Sequence, residues 1–272
     1  MTIHEHFHEY KRLIYYFLLR TVRLIPNFFS RNKAHKFLFI LTPPYCGSTL
    51  LNQLLSTSNQ LSCNNYLGVR EGQLLPKVKQ IMFTDNRWDD TISEYPWKFI
   101  KTTWLKYWDL RKPILLDKSV TNIMRVSAIN KAFSNAHFIA MVRNPYAQAE
   151  GIIRRNNASA EYAAKFALKC LRYQMQNKEL EDCNIMFISY EELCDNKEGV
   201  IDKIMRFVPE LESINADASF TSHNFKTKGK MKIQNLNDEK IKKLSHEDLK
   251  VINFYFKKEI ELLNYFNYPI IE

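Results

Sequence analysis

The chain has 272 residues, 46% hydrophobic and 25% charged, with a formal net charge of +10 at pH 7. This length suits one large α/β domain or two small ones, and the composition excludes a disordered, fibrous or repetitive protein. The positive charge favours anionic partners, which leaves nucleic acid, anionic lipid, acidic polysaccharide and a phosphorylated cofactor open.

The five cysteines, Cys46, Cys63, Cys170, Cys183 and Cys194, form no CxxC pair and have no histidine at metal-ligand spacing. The sequence therefore predicts no metal site. A scattered, odd-numbered set in a chain without a secretory signal is typical of reduced thiols in the cytoplasm. Burial in the core accounts for four of them, and the status of Cys46 stays open.

The N-terminal segment, 1–35, is predicted to be an amphipathic helix and a linker. Apolar residues recur at helical spacing across residues 7–25, with basic residues between them. This pattern allows residues 5–25 to make peripheral contact with the inner surface of a membrane, and packing against the rest of the chain is the alternative. The apolar run 13–19 is too short to span a bilayer. The segment 26–36, which opens with Pro26, is expected to end the helix.

Strand-like and helix-like segments alternate from residue 36 to the C-terminus. Apolar, β-prone runs predict strands at 37–42, 113–116, 137–142 and 184–189. Helical spacing predicts helices from residue 48 and at 71–83, 121–133, 145–156, 158–177, 198–207 and 245–265. The tryptophan-rich stretch 81–107 is predicted to be a helical or irregular insertion, and 219–237 a basic loop. The alternation predicts a three-layer, doubly wound α/β domain with a parallel sheet over residues 36–272.

Four candidate ligand-binding positions follow the predicted strands. They are the loop 43–49, the Asp117-Lys118 pair, the Arg143-Asn144 pair and the Ser189-Tyr190 pair. Ligands of parallel sheets bind outside the carboxyl ends of the strands, so these positions are expected to meet in one site.

The loop "PPYCGSTLL", residues 43–51, joins a predicted strand to a predicted helix. Backbone N–H groups at Gly47, Ser48 and Thr49 can point at an anion there, and the helix N-terminus adds partial positive charge. The loop has one glycine and no lysine, whereas a nucleoside-triphosphate loop reads G-x-x-x-x-G-K-[ST]. An ATP or GTP hydrolase is therefore disfavoured.

The sequence resembles the sulfotransferases that use 3′-phosphoadenosine 5′-phosphosulfate (PAPS) as the donor. Residues 44–51, "PYCGSTLL", are similar to the family's phosphosulfate loop, and "HFIAMVRNP" is similar to its strand and VRxP element. "LLDKSV" and "ISYEELCDN" follow the family's order, and "GVREGQLLPK" is similar to a stretch of tyrosylprotein sulfotransferases. The resemblance runs from about residue 36 to the C-terminus and implies the P-loop-like sulfotransferase fold.

The resemblance implies a role for each matching residue. Glu71 would be the base that takes the acceptor's proton, and Lys118 would lie near the sulfate. Arg143 would bind the 3′-phosphate. The residues assigned to binding the donor PAPS and its product, adenosine 3′,5′-bisphosphate (PAP), are Pro44, Tyr45, Cys46, Gly47, Ser48, Thr49, Leu50, Arg143, Gly151, Tyr190, Lys228 and Lys230.

Two positions depart from the family. Tyr45 stands where relatives usually have Lys or Arg, so Lys118 first, or Arg70, is expected to supply the missing charge. Gly151 stands where relatives usually have a serine, and Arg154 or Arg155 is the candidate substitute. A helix-start glutamate is the alternative for Glu71, and a solvated charge run is the alternative for Lys228 and Lys230.

The resulting hypothesis is a PAPS-dependent sulfotransferase that needs no metal and does not act on nucleic acid. Its acceptor is expected to be a hydroxyl of a carbohydrate or glycoconjugate, on the basis of the basic surface and the aromatic residues of 88–108, which stack on sugars or else belong to the core. A non-catalytic binding protein on the same scaffold is the second hypothesis, and a small-molecule kinase is the third.

Overall fold

A computed structural model describes the chain at residues 3–92, 94–221 and 230–272. Its strands are β1 (Lys36–Leu41), β2 (Leu61–Cys63), β3 (Ile114–Asp117), β4 (Ala136–Val142), β5 (Asn184–Ser189), β6 (Phe220–Thr221) and β7 (Lys230–Met231). Its α-helices are α1 (Ile3–Ser30), α2 (Ser48–Leu55), α3 (Lys79–Met82), α4 (Trp97–Trp104), α5 (Val126–Ala132), α6 (Pro145–Asn156), α7 (Ala160–Lys178), α8 (Tyr190–Asp195), α9 (Lys197–Phe207), α10 (Asn237–Ile241), α11 (His246–Lys258) and α12 (Ile260–Tyr265).

Strands β1 to β5 form one parallel sheet in the order β2-β3-β1-β4-β5. The chain passes from one side of β1 to the other between β3 and β4. At this switch point the loops that follow the two neighbouring strands run in opposite directions, so a crevice opens between them at the carboxyl edge of the sheet. The loop after β1 lies at this crevice, which confirms the predicted doubly wound arrangement.

Alternation along β1 explains the three layers. Phe37, Phe39 and Leu41 point into a cluster with α1, α4, α5 and α7. Leu38 and Ile40 point to the opposite face, into a cluster with α2, α8 and α9. Because successive side chains of a strand face opposite ways, a strand that is apolar throughout must be covered on both faces.

The prediction that Pro26 ends the first helix is wrong. The helix α1 continues through Pro26 to Ser30. Asn27 holds this part of the helix against the domain: its Nδ2 donates to the carbonyls of Leu105 at 3.2 Å and Trp108 at 2.8 Å, and its Oδ1 accepts from the N–H of Leu110 at 2.9 Å. These tertiary bonds offset the backbone hydrogen bond that proline removes.

The prediction of a single helix over 71–83 is also wrong. The segment forms a 3-10 turn at 72–74 and then the short α3. Pro76 disfavours helical geometry in the residue before it. In addition, the N–H of Gly72 donates to the buried Asp117 carboxylate at 3.0 Å. This tertiary bond holds Gly72 at the sheet edge, and the α-helix begins only after Pro76, at Lys79.

Smaller differences occur elsewhere. The segment 121–133 is a 3-10 turn followed by α5, and 245–265 is split into α11 and α12. The edge strand β2 and the short β6–β7 pair within the basic stretch 219–237 were not predicted. A capping box starts α11, and Pro145 is the first residue of α6.

The aromatic residues of 88–108 belong to the core, except for the exposed Phe99. Trp97, Trp104 and Trp108 are buried in the cluster beneath α1, and Trp88 packs edge-on against Phe166 with ring centroids 4.8 Å apart. The expectation that these rings stack on sugar therefore finds no support. They cover one face of the sheet instead.

Helix α1 has two apolar faces. The inner face includes the buried Tyr16 and packs on the domain. The outer face exposes large side chains such as Phe17, Leu24 and Phe28. In the part of the chain that the structure describes, no helix is both long enough and apolar enough to cross a bilayer.

Replacing Asn27 with alanine tests how α1 is held. The Asn27→Ala variant loses three hydrogen bonds to the 105–110 segment, so we expect the free energy of unfolding to fall by about 2 kcal/mol. Urea denaturation provides the measurement. In the matched control, Thr21→Ala, the hydroxyl bonds only to Phe17 of the same helix, and a change within about 0.5 kcal/mol is expected. Equal losses in the two variants would contradict the anchoring role of Asn27.

Candidate active site

The loop after β1 presents the N-terminus of α2 at the carboxyl edge of the sheet. Gly47 has a φ of 91°, a left-handed conformation, and a Cβ added there would lie 2.8 Å from the Tyr190 ring. No side chain caps α2, so its first N–H groups lack a side-chain acceptor. A helix start of this kind suits an anion, because the N–H groups and the helix dipole both favour negative charge.

Lys118 brings this loop and Glu71 together. Its Nζ lies 3.0 Å from Oε1 of Glu71 and 3.2 Å from Oγ of Ser48. Lys118 is 1% exposed and Glu71 is 7% exposed, so water screens this ion pair weakly. The sequence placed these three residues on separate segments, and the fold makes them neighbours.

The neighbouring Asp117 does not pair with Lys118. Its carboxylate instead accepts hydrogen bonds from Asn64 Nδ2 at 2.9 Å, the Gly72 N–H at 3.0 Å, the Ser119 N–H at 3.0 Å and Asn122 Nδ2 at 2.8 Å. Burial raises the pKa of Asp117, and these donors act in the opposite direction. Asp117 thereby ties the segment after β2, which carries Glu71, to the end of β3.

Arg143 follows β4 and borders the same loop. Its Nε donates to Oδ1 of Asn237 at 2.7 Å and its Nη1 donates to the Tyr45 carbonyl at 3.1 Å. The guanidinium lies 3.8 Å from the centroid of the Tyr190 ring. Among the described residues, the buried Nη2 has no hydrogen-bond partner and no carboxylate forms an ion pair with Arg143. An unpaired buried donor of this kind suits a bound anion.

Tyr190 lines the site with its ring. The Tyr190 hydroxyl donates to the carbonyl of Gln234 at 2.9 Å. Burial is the main cause that raises the pKa of Tyr190, to about 12. The ring packs between Gly47 and Arg143, where it fixes the position of the guanidinium.

Tyr45 turns away from the start of α2. Its hydroxyl donates to Oδ1 of Asn156 at 2.5 Å, and its ring packs on Gly151. A Cβ added at Gly151 would lie 2.8 Å from Cβ of Tyr45, so glycine at 151 makes room for tyrosine at 45. The two departures from the family pattern are thus in direct contact.

Lys240, which the sequence did not indicate, lies beside Gly151. Its Nζ would be 3.1 Å from a Cβ at Gly151 and is 2.8 Å from Oε2 of Glu150. Burial lowers the pKa of Lys240, whereas the hydrogen bond to Glu150 raises it. Arg154 also pairs with Glu150, at 2.6 Å. No motif marks Lys240 in the sequence, so pattern reasoning could not single it out.

Several other predicted residues take up defined places. The carbonyl of Pro44 accepts from Gln148 at 3.2 Å, Thr49 lies in the first turn of α2, and Leu50 packs into the cluster of α2 and α9. Arg70 donates to Asn52 at 3.2 Å and to Ser56 at 3.3 Å, so it lies along α2 rather than at its start.

The basic stretch is only partly described. Lys228 lies outside the described residues. The backbone of Lys230 pairs with Thr221 in the two-stranded β6–β7 sheet.

A sequence model of the Sulfotransferase family matches residues 38–212, which cover most of the sheet and the site described above. The chain belongs to this sulfotransferase family.

Solved structures share the fold of this family member. The sulfotransferase domain from the olefin synthase of Synechococcus PCC 7002 is 16% identical, with a TM-score of 0.53, over 88% of this chain and 98% of that one. A sulfotransferase from Alicyclobacillus acidocaldarius is 14% identical, with a TM-score of 0.50, over 86% of this chain and 96% of that one. A search of curated protein sequences finds no significant match.

The candidate site therefore combines two parts at one sheet edge. One part is a helix N-terminus with Ser48, Lys118 and Glu71 beside it. The other is the guanidinium of Arg143 with its unpaired Nη2. The first offers hydrogen-bond donors, a cation and a carboxylate to a reacting group, and the second offers a donor to an anion.

Cys46 is predicted to be inert in the native protein. It is 1% exposed, and burial raises the pKa of its thiol to about 12, so little thiolate forms at pH 8. We expect iodoacetamide to modify the half-buried Cys183 well before Cys46 in the native state, and to modify both after unfolding in guanidinium. Peptide mass mapping provides the measurement. Labelling of native Cys46 as fast as Cys183 would contradict this prediction.

Proposed function

We propose that the chain transfers a sulfuryl group from PAPS to an acceptor hydroxyl. One observation carries the proposal: the Lys118 ammonium bridges the Glu71 carboxylate and the Ser48 hydroxyl at the start of α2. This arrangement sets a carboxylate and a hydroxyl group within hydrogen-bond reach of one ammonium. In-line group transfer needs such positioned charges more than it needs covalent catalysis.

The start of α2 would hold the 5′-phosphosulfate. The N–H groups of Gly47, Ser48 and Thr49 and the Ser48 hydroxyl would donate to its oxygens. Lys118 would supply the positive charge that the loop itself lacks, since Tyr45 is turned toward Asn156. Protein cations and N–H donors can stabilise this leaving group, so the proposed reaction requires no metal.

Arg143 would hold the 3′-phosphate of the donor. Its unpaired Nη2 supports this role, because a phosphate oxygen would satisfy a donor that is otherwise buried without a partner. Lys240 lies nearby, but Glu150 largely neutralises its charge. Lys228 and Lys230 are proposed to complete the phosphate site, as the resemblance implies.

Glu71 would act as the base. In the proposed reaction, the acceptor O–H loses its proton to Glu71 as the acceptor oxygen bonds to sulfur. The bond between sulfur and the phosphate oxygen breaks, and PAP leaves. Lys118 would then move its hydrogen bond from Glu71 toward the departing oxygen. Gln73 Nε2 donates to the second oxygen of Glu71 and would keep the carboxylate in place.

A carbohydrate or glycoconjugate hydroxyl is the proposed acceptor, and the protein is proposed to act in the cytoplasm. The excess of basic residues supports an anionic or glycan-like acceptor, whereas the core position of the 88–108 aromatics adds no support. We further propose that residues 1–35 form a segment distinct from a sulfotransferase-like unit of residues 36–272.

Binding of PAP tests the donor site. We expect PAP to raise the melting temperature of the wild-type protein and Arg143→Ala to weaken PAP binding at least about tenfold, because a charged hydrogen bond to phosphate is lost. Calorimetric titration provides the measurement. The control Arg172→Ala, which removes an exposed ion pair with Glu259, should bind as the wild type does. Wild-type affinity in Arg143→Ala would refute the 3′-phosphate assignment, and stabilisation by ATP-Mg alone would favour a kinase.

Sulfate release from PAPS tests the catalytic assignment. We expect Lys118→Ala to slow release at least about 100-fold, since it removes the charge nearest the departing oxygen. Glu71→Gln should keep PAP binding but lose transfer to a hydroxyl acceptor, because the amide cannot take the proton. The control Lys197→Ala removes an exposed ion pair with Asp217 and should leave release unchanged. Near-normal release in Lys118→Ala would refute its role, and PAP binding without release by the wild type would indicate a non-catalytic binding protein.

A further inference from the structure

The outer face of α1 is an unusually long exposed apolar surface. Ten large apolar side chains of this helix are exposed, and Phe17, Val22 and Phe29 have 67%, 73% and 78% of their surface exposed. The outer face is defined here by Tyr10, Leu13, Ile14, Phe17, Leu18, Val22, Leu24, Ile25, Phe28 and Phe29. It extends about 30 Å along the helix at 1.5 Å per residue. Ordinary surface helices place polar residues on this side.

The outer face cannot turn inward, because the opposite side of α1 is already bound to the domain. Tyr16 is buried, and its hydroxyl donates to Oδ1 of Asn65 at 3.3 Å. Further along the helix, Asn27 holds the carbonyls of Leu105 and Trp108. The helix therefore lies flat on the domain with the outer face directed away from it.

The charges around the outer face are almost all positive. Residues 9–33 contain six basic residues and one acidic residue, Glu9. Arg20, Arg31 and Lys33 are exposed beside the apolar stripe. Basic side chains at the edge of an apolar helix face can reach lipid phosphates while the apolar residues enter the headgroup region. A second copy of the chain would instead bring two sets of cations together.

We propose that the outer face of α1 docks on the surface of an anionic phospholipid bilayer. The helix would lie in the plane of the interface, with its aromatic and aliphatic side chains among the headgroups and its basic residues on phosphates. The charge excess argues for an anionic bilayer over a neutral one, and the flat attachment of α1 argues for docking along its whole length.

Docking would also orient the active site. Asn65, which accepts from Tyr16, donates to the carbonyl of Glu71 at 2.7 Å, and Trp104 donates to the carbonyl of Gly72 at 3.1 Å. The segment that carries Glu71 is therefore linked through Asn65 to the inner side of α1, opposite the outer face. This orientation matters to the acceptor only if the proposed function is right, whereas the docking itself does not depend on it.

Flotation of the full chain with vesicles tests the proposal. The probes are vesicles of phosphatidylcholine alone and of phosphatidylcholine mixed with phosphatidylglycerol. We expect binding to the mixed vesicles that weakens with added salt, and little binding to the neutral ones. The variant F17S/L24S/F28S should bind at least about tenfold more weakly. The control Y162S/F254S/Y265S removes exposed aromatic side chains of other helices and should bind as the wild type does.

A second measurement reports orientation. Energy transfer from the native tryptophans to a dansyl-labelled lipid should be strong for the wild type, because Trp104 and Trp108 lie under α1, and lost in the outer-face variant. Docked protein that shows no transfer would overturn the proposed orientation.

Two results would overturn the docking proposal. One is wild-type protein that binds neither kind of vesicle. The other is a wild-type dimer in solution that vesicles do not dissociate and that the outer-face variant does not form. That result would identify a second copy of the chain as the partner of the outer face. Stabilisation by PAP is measured on the same variants and should be unchanged. Loss of vesicle binding alone then counts against docking, and absence of PAP stabilisation in the wild type counts against the proposed function.

Discussion

The candidate site depends on one buried carboxylate, Asp117. It lies at the end of β3, and four N–H donors from the segments after β2 and β3 converge on it. Because a buried carboxylate is stable only when its oxygens are satisfied, the segment after β2 must return to the sheet edge. That return brings Glu71 to Lys118, whose side chain leaves β3 on the opposite side from Asp117. The ion pair at the centre of the site is thus a consequence of the hydrogen bonds behind it.

The distribution of positive charge follows from the same sheet edge. The loop after β1 carries no cation, yet Lys118 from β3 and Arg143 from β4 border it on its two sides. Parallel strands bring the residues after their carboxyl ends to one line, so cations that follow β3 and β4 border a loop that carries none. The Tyr45 ring packs against α6 at Gly151, where the absence of a Cβ provides the space that the ring needs.

The first helix links this site to the surface of the molecule. Tyr16 on its inner side bonds to Asn65, which bonds to the backbone of Glu71. Its outer side carries apolar residues in an otherwise basic surrounding. A helix with two apolar faces needs two partners, and the domain is only one of them. The inner contacts therefore fix the direction in which a second partner must approach.

The order of strands and helices, the phosphate-type loop and the residues after each strand could be read from the sequence, because periodicity and local turn chemistry are properties of short segments. Only the tertiary structure decided that α1 continues through Pro26, that 71–83 is not one helix and that β2 pairs at the edge. Each of these depends on hydrogen bonds to residues distant in the chain, such as Asn27 to Trp108 and Gly72 to Asp117. The sequence by itself indicated candidate residues after the ends of the strands, and long-range bonding decided which of them touch, because local pattern holds no information about partners many residues away.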